Sequence, residues 1–256
     1  MERIKISNRI KRLAYQIEQL PIAIKRFADI GTDHGYLPYV LFENQVIKSS
    51  ILCDVNNGPL QNAKQTFKGL DYKTDFRLGS GLEPLNKAEV DAVAIAGMGG
   101  GLIIDLLNHD INKTLTYPFF LLQPMTEQDR LRTWLLNHKF VILWDYFFID
   151  MDKHYEVVVA YNLDSAVLTD EHNILNSSIN TRFFNPTIDL EFGYCINLKD
   201  AKNYHDFLEF KKQKYSAVIS KISIESHREV YVATQNKLEI IEKIKKALDE
   251  RVNKET

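Results

Sequence analysis

Cysteine is scarce in this chain of 256 residues: Cys53 and Cys195 stand far apart, with neither CxxC spacing nor clustered histidines. That argues against a disulfide framework and against any metal site of the zinc type, and it fits a reducing, cytoplasmic compartment. Long apolar runs are missing too. The longest uncharged stretch, Ala92–Ile104, is glycine-rich and falls short of the roughly 20 residues that cross a bilayer. The N-terminus enters an amphipathic pattern directly, without the apolar core of a signal peptide. No membrane role follows, and no obligate protein partner is indicated. Internal repeats and low-complexity tracts are absent, as are a complete G-x-G-x-x-G and an Asp/Asn-Pro-Pro-aromatic motif.

The net charge of −2 conceals an uneven distribution. Residues 1–26 carry a balance of +5, residues 199–256 carry +3, and the stretch between them carries −10. An acidic middle with basic ends is compatible with nucleic acid, because cations matter where phosphates can reach them and not as a total. Solvated helix faces of no special purpose would look the same.

Apolar runs at Phe27–Ile30, Ile51–Val55, Asp91–Ala96 and Phe119–Gln123 read as buried parallel strands, and Phe76 and Leu78 end another. Helical patterns lie between them, at about Tyr36–Asn44, Pro59–Gly69, Leu102–His109 and Glu127–Asn137, after a first helix capped by Ser7. This βαβ rhythm predicts an α/β fold with a doubly wound sheet. Two aromatic and β-branched runs, Val141–Ile149 and Tyr155–Tyr161, predict a closing hairpin that is more a methyltransferase feature than a dehydrogenase one. The pattern decays after Asp164 and turns strongly helical from Leu198. A nucleotide-binding domain over residues 1–165 is therefore expected, then a linker and helical coiled coil over 166–256. Tyr204, Phe207, Leu208, Tyr215, Val218 and Ile222 form one apolar stripe of that appendage, and Leu238, Ile241, Leu248 and Val252 the other.

The chemistry concentrates at strand ends. Ala28-Asp29-Ile30-Gly31-Thr32-Asp33-His34-Gly35 leaves the first strand, and Asp54, followed by Val55, ends the next, an acid positioned for ribose hydroxyls. Asp33 occupies the place of the middle glycine of a dinucleotide turn, where a carboxylate would repel a pyrophosphate. S-adenosyl-L-methionine has no phosphate and carries an ammonium and a sulfonium, so it suits the turn better. Gly79-Ser80-Gly81-Leu82 is the turn expected to bracket an adenine, and Ala96-Gly97-Met98-Gly99-Gly100-Gly101 the floor of an acceptor pocket. So many glycines cost conformational entropy, which favours close backbone approach to a ligand as their reason. Gln123 adds one polar side chain at the same edge. A small-molecule methyltransferase and a nonenzymatic nucleotide- or RNA-binding module remain alternatives, and an NAD-dependent oxidoreductase is disfavoured by Asp33.

With these residues in view, the chain resembles the bacterial tRNA (adenine(22)-N1)-methyltransferases. The likeness runs from Ile6–Ile10 through Asp29–Leu37, Gly79–Leu82, Ala96–Gly100 and Leu122–Pro124 to Tyr155–Val157 and Glu191–Gly193. It implies a Rossmann-like class I methyltransferase sheet with a C-terminal coiled coil, S-adenosyl-L-methionine as cofactor and tRNA as partner. It also implies that Arg9 faces the cofactor or target base, beside cofactor contacts from Asp29, Gly31, Asp33, His34, Gly35, Asp54, Val55, Gly79–Leu82 and Ala96–Met98. Met98 and Gly99 would position the acceptor, and Asp33 or His34 would receive a proton. Arg3, Lys5, Lys11, Arg12, Lys211, Lys212 and Lys214 are the expected phosphate contacts. Two departures stand out: the resembled pattern often has an acid where this chain has Ser80, and often Asn where it has Met125.

Overall fold

The computed structural model describes residues 4–165, 183–185 and 189–255. They fall into two compact units, one of residues 4–143 and 157–165, the other of 144–156, 183–185 and 189–255. This division differs from a simple break after residue 165: the far half of the predicted hairpin groups with the C-terminal residues. Residues 166–182 and 186–188, which include most of the polar stretch expected between the two parts, lie outside the described residues.

In the first unit, helix α1 (Asn8–Glu18) starts where Ser7 Oγ accepts the Ile10 N–H at 3.3 Å, and it buries Leu13, Ala14 and Ile17. Strands β1 (Arg26–Ile30), β2 (Ser49–Asp54), β3 (Thr74–Leu78), β4 (Ala92–Met98) and β5 (Phe119–Pro124) alternate with helices α2 (Tyr36–Glu43), α3 (Asn57–Thr66), α4 (Gly100–Asn108), α5 (Ile111–Thr114) and α6 (Gln128–Asn137). The five strands pair in parallel in the order β3-β2-β1-β4-β5. β5 is buried at every position, as a parallel strand covered on both faces must be.

Strands β6 (Phe140–Asp150) and β7 (Lys153–Asn162) form the hairpin, and β7 pairs antiparallel with β5. Met151 and Asp152 both adopt positive φ, 49° and 60°, as a two-residue turn of the tightest kind requires. Short elements escaped the sequence reading: α5, and the two-residue strands β8 (Phe183–Phe184) and β9 (Ile196–Asn197) of the second unit.

The second unit is built on helices α7 (Ala201–Ile219) and α8 (Arg228–Glu255). The hydrogen-bonded pair His205–Asp249 and the ion pairs Glu209–Lys245 and Lys212–Glu242 step up one helix and down the other, so the two run antiparallel. Phe147, Phe192, Tyr204, Phe207, Leu208, Ile241, Ile244 and Leu248 make its core. The buried apolar residues cluster toward one end of the helix pair, while Val218, Ile222 and Leu238 of the predicted stripes are only half-buried. Asp145, wholly buried, ties β6 to the chain before β9 by accepting the N–H groups of Tyr194 and Cys195 at 2.7 and 3.1 Å. Both cysteines are free and buried. Among the described residues no helix is long and apolar enough to cross a membrane, and no cluster of His, Cys, Asp and Glu could hold a metal ion.

Asp145→Ala would strand two buried donors, each costing about 1–3 kcal/mol. Thermal unfolding of that variant is expected several degrees below the parent, with Asp145→Asn, which keeps an acceptor, in between.

Candidate active site

Parallel pairing brings the C-terminal ends of β1 to β5 to one edge, and the loops that leave them meet there. Asp29, near the end of β1, is buried and accepts the Thr32 hydroxyl at 2.6 Å. Burial pushes its carboxyl up from 3.8 to about 6, against the lowering effects of the Thr32 bond and the Arg9 guanidinium. Gly31 and Thr32 donate their N–H groups to the Cys53 carbonyl at 2.9 and 3.0 Å, which fastens the turn to β2. Beyond it Asp33 is exposed and lies 3.6 Å from His34, whose ring stacks on Tyr36 with centroids 5.0 Å apart. Asp33 does not cap α2: the cap is Gly35, left-handed at φ +67°, and no side chain bonds to it.

Asp54 closes β2. One carboxylate oxygen accepts the Asn56 N–H at 2.8 Å, which fixes its direction, and its backbone carbonyl accepts the Gly79 N–H at 3.0 Å. The second acid and the Gly79–Leu82 turn are thereby neighbours. A cavity of about 400 Å³ opens beside Ser80, lined also by Leu82, Glu83, Asp105, Leu106 and His109. Leu82 itself is 5% exposed and belongs to the core. Val55, Leu78, Leu102 and Met125, all apolar, remain largely exposed around the edge.

Arg9 reaches this edge from α1. Its Nε and Nη2 donate to Gln123 Oε1 at 3.0 and 2.7 Å. Gly97 forms an irregularity in the β4–β5 pairing at φ +81°, and a Cβ there would stand 3.0 Å from Arg9 Nη2. Met98 extends its methyl over Gly31. At Gly100 the structure corrects the expectation of a wall kept open for a ligand. A Cβ on Gly100 would meet the Glu127 and Thr126 carbonyl oxygens at 2.5 and 2.7 Å, so that glycine serves packing against the chain's own loop. Gly101 donates its N–H to Glu127 at 3.1 Å. Gly99 adopts an ordinary extended conformation, φ −64°, and needs no glycine on backbone grounds.

Of the expected phosphate contacts, Lys5, Lys11 and Lys214 are exposed, Arg12 is half-buried, and Arg3 lies outside the described residues. Lys212 is paired with Glu242 at 2.8 Å. Lys211 must be withdrawn: it is 9% exposed and held 3.8 Å from Glu156 and 3.5 Å from Glu191, out of reach of a phosphate. Thr32 and the Arg9–Gln123 pair are the site residues whose roles the sequence reading missed. Thr32 had a signal, a hydroxyl three residues beyond an acid that ends a buried strand.

A strand-edge site of this kind, on this sheet with its antiparallel seventh strand, defines a class I methyltransferase, and residues 6–158 match the methyltransferase-domain family model: the chain belongs to that family. Within it, the chain is 33% identical over 162 residues to the tRNA (adenine(22)-N(1))-methyltransferase of Bacillus subtilis (strain 168), a match spanning 62% of this chain and 66% of that relative. The solved B. subtilis M1A22 tRNA methyltransferase TrmK superposes with a TM-score of 0.70 at 26% identity, covering 95% of this chain and 100% of its own. A Streptococcus pneumoniae putative tRNA (m1A22) methyltransferase in complex with S-adenosyl-L-methionine gives 0.68 at 26%, over 94% and 100%.

Asp29 makes a pH-dependent contribution. Its folded carboxyl holds a proton more tightly than the unfolded one, so stability falls as pH rises from about 3.8 to about 6 and is flat above. Asp29→Asn, which still accepts from Thr32, should therefore be more stable than the parent by up to about 3 kcal/mol above pH 6 and no more stable below pH 4. Urea unfolding of both at several pH values reads the difference; one independent of pH would show the carboxyl is not disfavoured by burial.

Proposed function

We propose that this chain transfers a methyl group from S-adenosyl-L-methionine to N1 of an adenine in the D-arm of tRNA, at position 22 as in its relatives, and that it does so in the cytoplasm. The observation that carries this reading is the extent of the likeness. The tRNA (m1A22) enzymes of B. subtilis and S. pneumoniae are matched over their whole length and nearly all of this chain, C-terminal helices included.

The residues at the sheet edge fit the cofactor. Asp29, Asp33 and Asp54 make the edge acidic, which suits an ammonium and a sulfonium and repels a pyrophosphate. Asp29 keeps a buried carboxylate at a cost in stability, and a cationic ligand would relieve that cost. Asp54 would hold the ribose hydroxyls, and Ser80 with the exposed Val55 and Leu78 would flank the adenine. When bound, the cofactor supplies an electrophilic methyl group.

Adenine N1 has an in-plane lone pair and is unprotonated at neutral pH, so no base is needed to make it a nucleophile. The work left to the chain is orientation, a proximity effect that reaches roughly 7–11 kcal/mol in favourable cases. Met98 and Gly99 form the floor on which the base is oriented. Either Asp33 or His34, adjacent on the exposed turn, accepts the one proton that leaves the N6 amino group. A base-paired adenine hides N1, so the arm must open at a cost of a few kcal/mol. Phosphate contacts from Lys5, Lys11 and Lys214, with Arg3, Arg12 and Lys212, offset that cost. Chemistry thus belongs to the sheet edge of the first unit, and the RNA grip is shared between Arg3, Lys5, Lys11 and Arg12 near the N-terminus and Lys212 and Lys214 on α7.

Incubation with unmodified tRNA and S-adenosyl-L-methionine, followed by nuclease digestion and mass spectrometry, should find N1-methyladenosine at one D-arm position. Methylation on N6, or on a small molecule alone, would contradict the reading. Asp54→Ala should weaken cofactor binding by about 1.5–3 kcal/mol in calorimetry while its circular dichroism matches the parent. An unchanged dissociation constant removes Asp54 from the ribose role.

A further inference from the structure

The residue just past β5 is an exposed methionine whose surroundings hold it in place. Met125 donates its N–H to the Met98 carbonyl at 2.8 Å, which fixes its backbone beside the end of β4. Its side chain is 45% exposed, directly after a strand that is buried throughout. The thioether is held all the same: Gln123 Nε2 lies 3.3 Å from its sulfur. Gln123 is wholly buried, and its own polar atoms are occupied. Oε1 accepts both Arg9 donors, and Nε2 donates to the Pro124 carbonyl at 3.2 Å as well as to Met125.

The chain Arg9–Gln123–Met125 therefore ends at the edge in a polarizable apolar surface. Gln123 has no hydrogen-bonding capacity left for a base edge, and a thioether offers only a weak acceptor. What the pair presents to an aromatic ring is sulfur and methyl, a contact favourable in its own right. A base held by its face keeps its edge, with N1 in the ring plane, free to be aligned.

We propose that Met125 is the stacking platform for the acceptor adenine, positioned through Gln123 by Arg9, and that it holds the base by its face. This rests on the tRNA methyltransferase reading given above. The experiment compares parent, Met125→Ala and Met125→Leu in three measurements: kcat and KM for tRNA, tRNA affinity with S-adenosylhomocysteine present, and calorimetric affinity for S-adenosyl-L-methionine. Met125→Ala should lose about tenfold in kcat/KM for tRNA and bind tRNA a few-fold more weakly. Met125→Leu, which restores apolar bulk, should stay within about twofold of the parent, and cofactor affinity should be the same in all three. Parental kcat/KM in Met125→Ala, an equal loss in Met125→Leu, or a fall in cofactor affinity that tracks activity would each overturn the proposal. A parent that leaves tRNA unmethylated would overturn the functional reading, and this inference with it.

Discussion

Everything at the site depends on parallel strand pairing. A strand that ran the other way would deliver its following loop to the opposite edge. Because β1 to β5 share one direction, the acids of β1 and β2, the turn after β3, the glycine run after β4 and Gln123 of β5 converge without long excursions of the chain. The register tightens this convergence. Cys53 pairs with Ile30, and its carbonyl takes both N–H groups of the first turn, while Asp54 pairs with Leu78 and accepts from Gly79. The loops after β1 and β3 are thus each hydrogen-bonded to β2.

The electrostatics follow from that geometry. Three carboxylates gather where the strands end, and one is buried far enough to be pushed well above the usual carboxylate range. Arg9 opposes Asp29 from within the fold, and Gln123 holds it there. The result is an edge with unsatisfied demand for positive charge on the turn side and an apolar rim at Val55 and Leu78. That combination separates a phosphate-free cationic nucleoside from a dinucleotide, although both bind at the same place on sheets of this type.

The longer strands, the longer helices of the first unit, the Ser7 cap and the closing hairpin were legible in the sequence, because apolar runs and turn residues act locally. The acids Asp29 and Asp54 were legible for the same reason, each standing at the end of a run. What stayed hidden depends on contacts distant in the chain. The Arg9–Gln123 bond joins residues more than a hundred positions apart. Gly100 is crowded by Thr126 and Glu127, which no local pattern shows, so its glycine looked like ligand space. Lys211 is a different case. It continues the helical spacing of Tyr204, Phe207 and Leu208, so its burial could have been read, but its charge drew it into the basic set instead. The division of the hairpin between two compact units has no sequence signal, since β6 and β7 look continuous from end to end.

The central claim is that this acidic, glycine-turned edge selects a cationic nucleoside without phosphate. Calorimetric titration of the parent with S-adenosyl-L-methionine and, in parallel, with NAD tests it most directly. The account predicts saturable one-site binding of S-adenosyl-L-methionine and no measurable heat of binding for NAD. Comparable binding of NAD, or none of S-adenosyl-L-methionine by the folded protein, would contradict it.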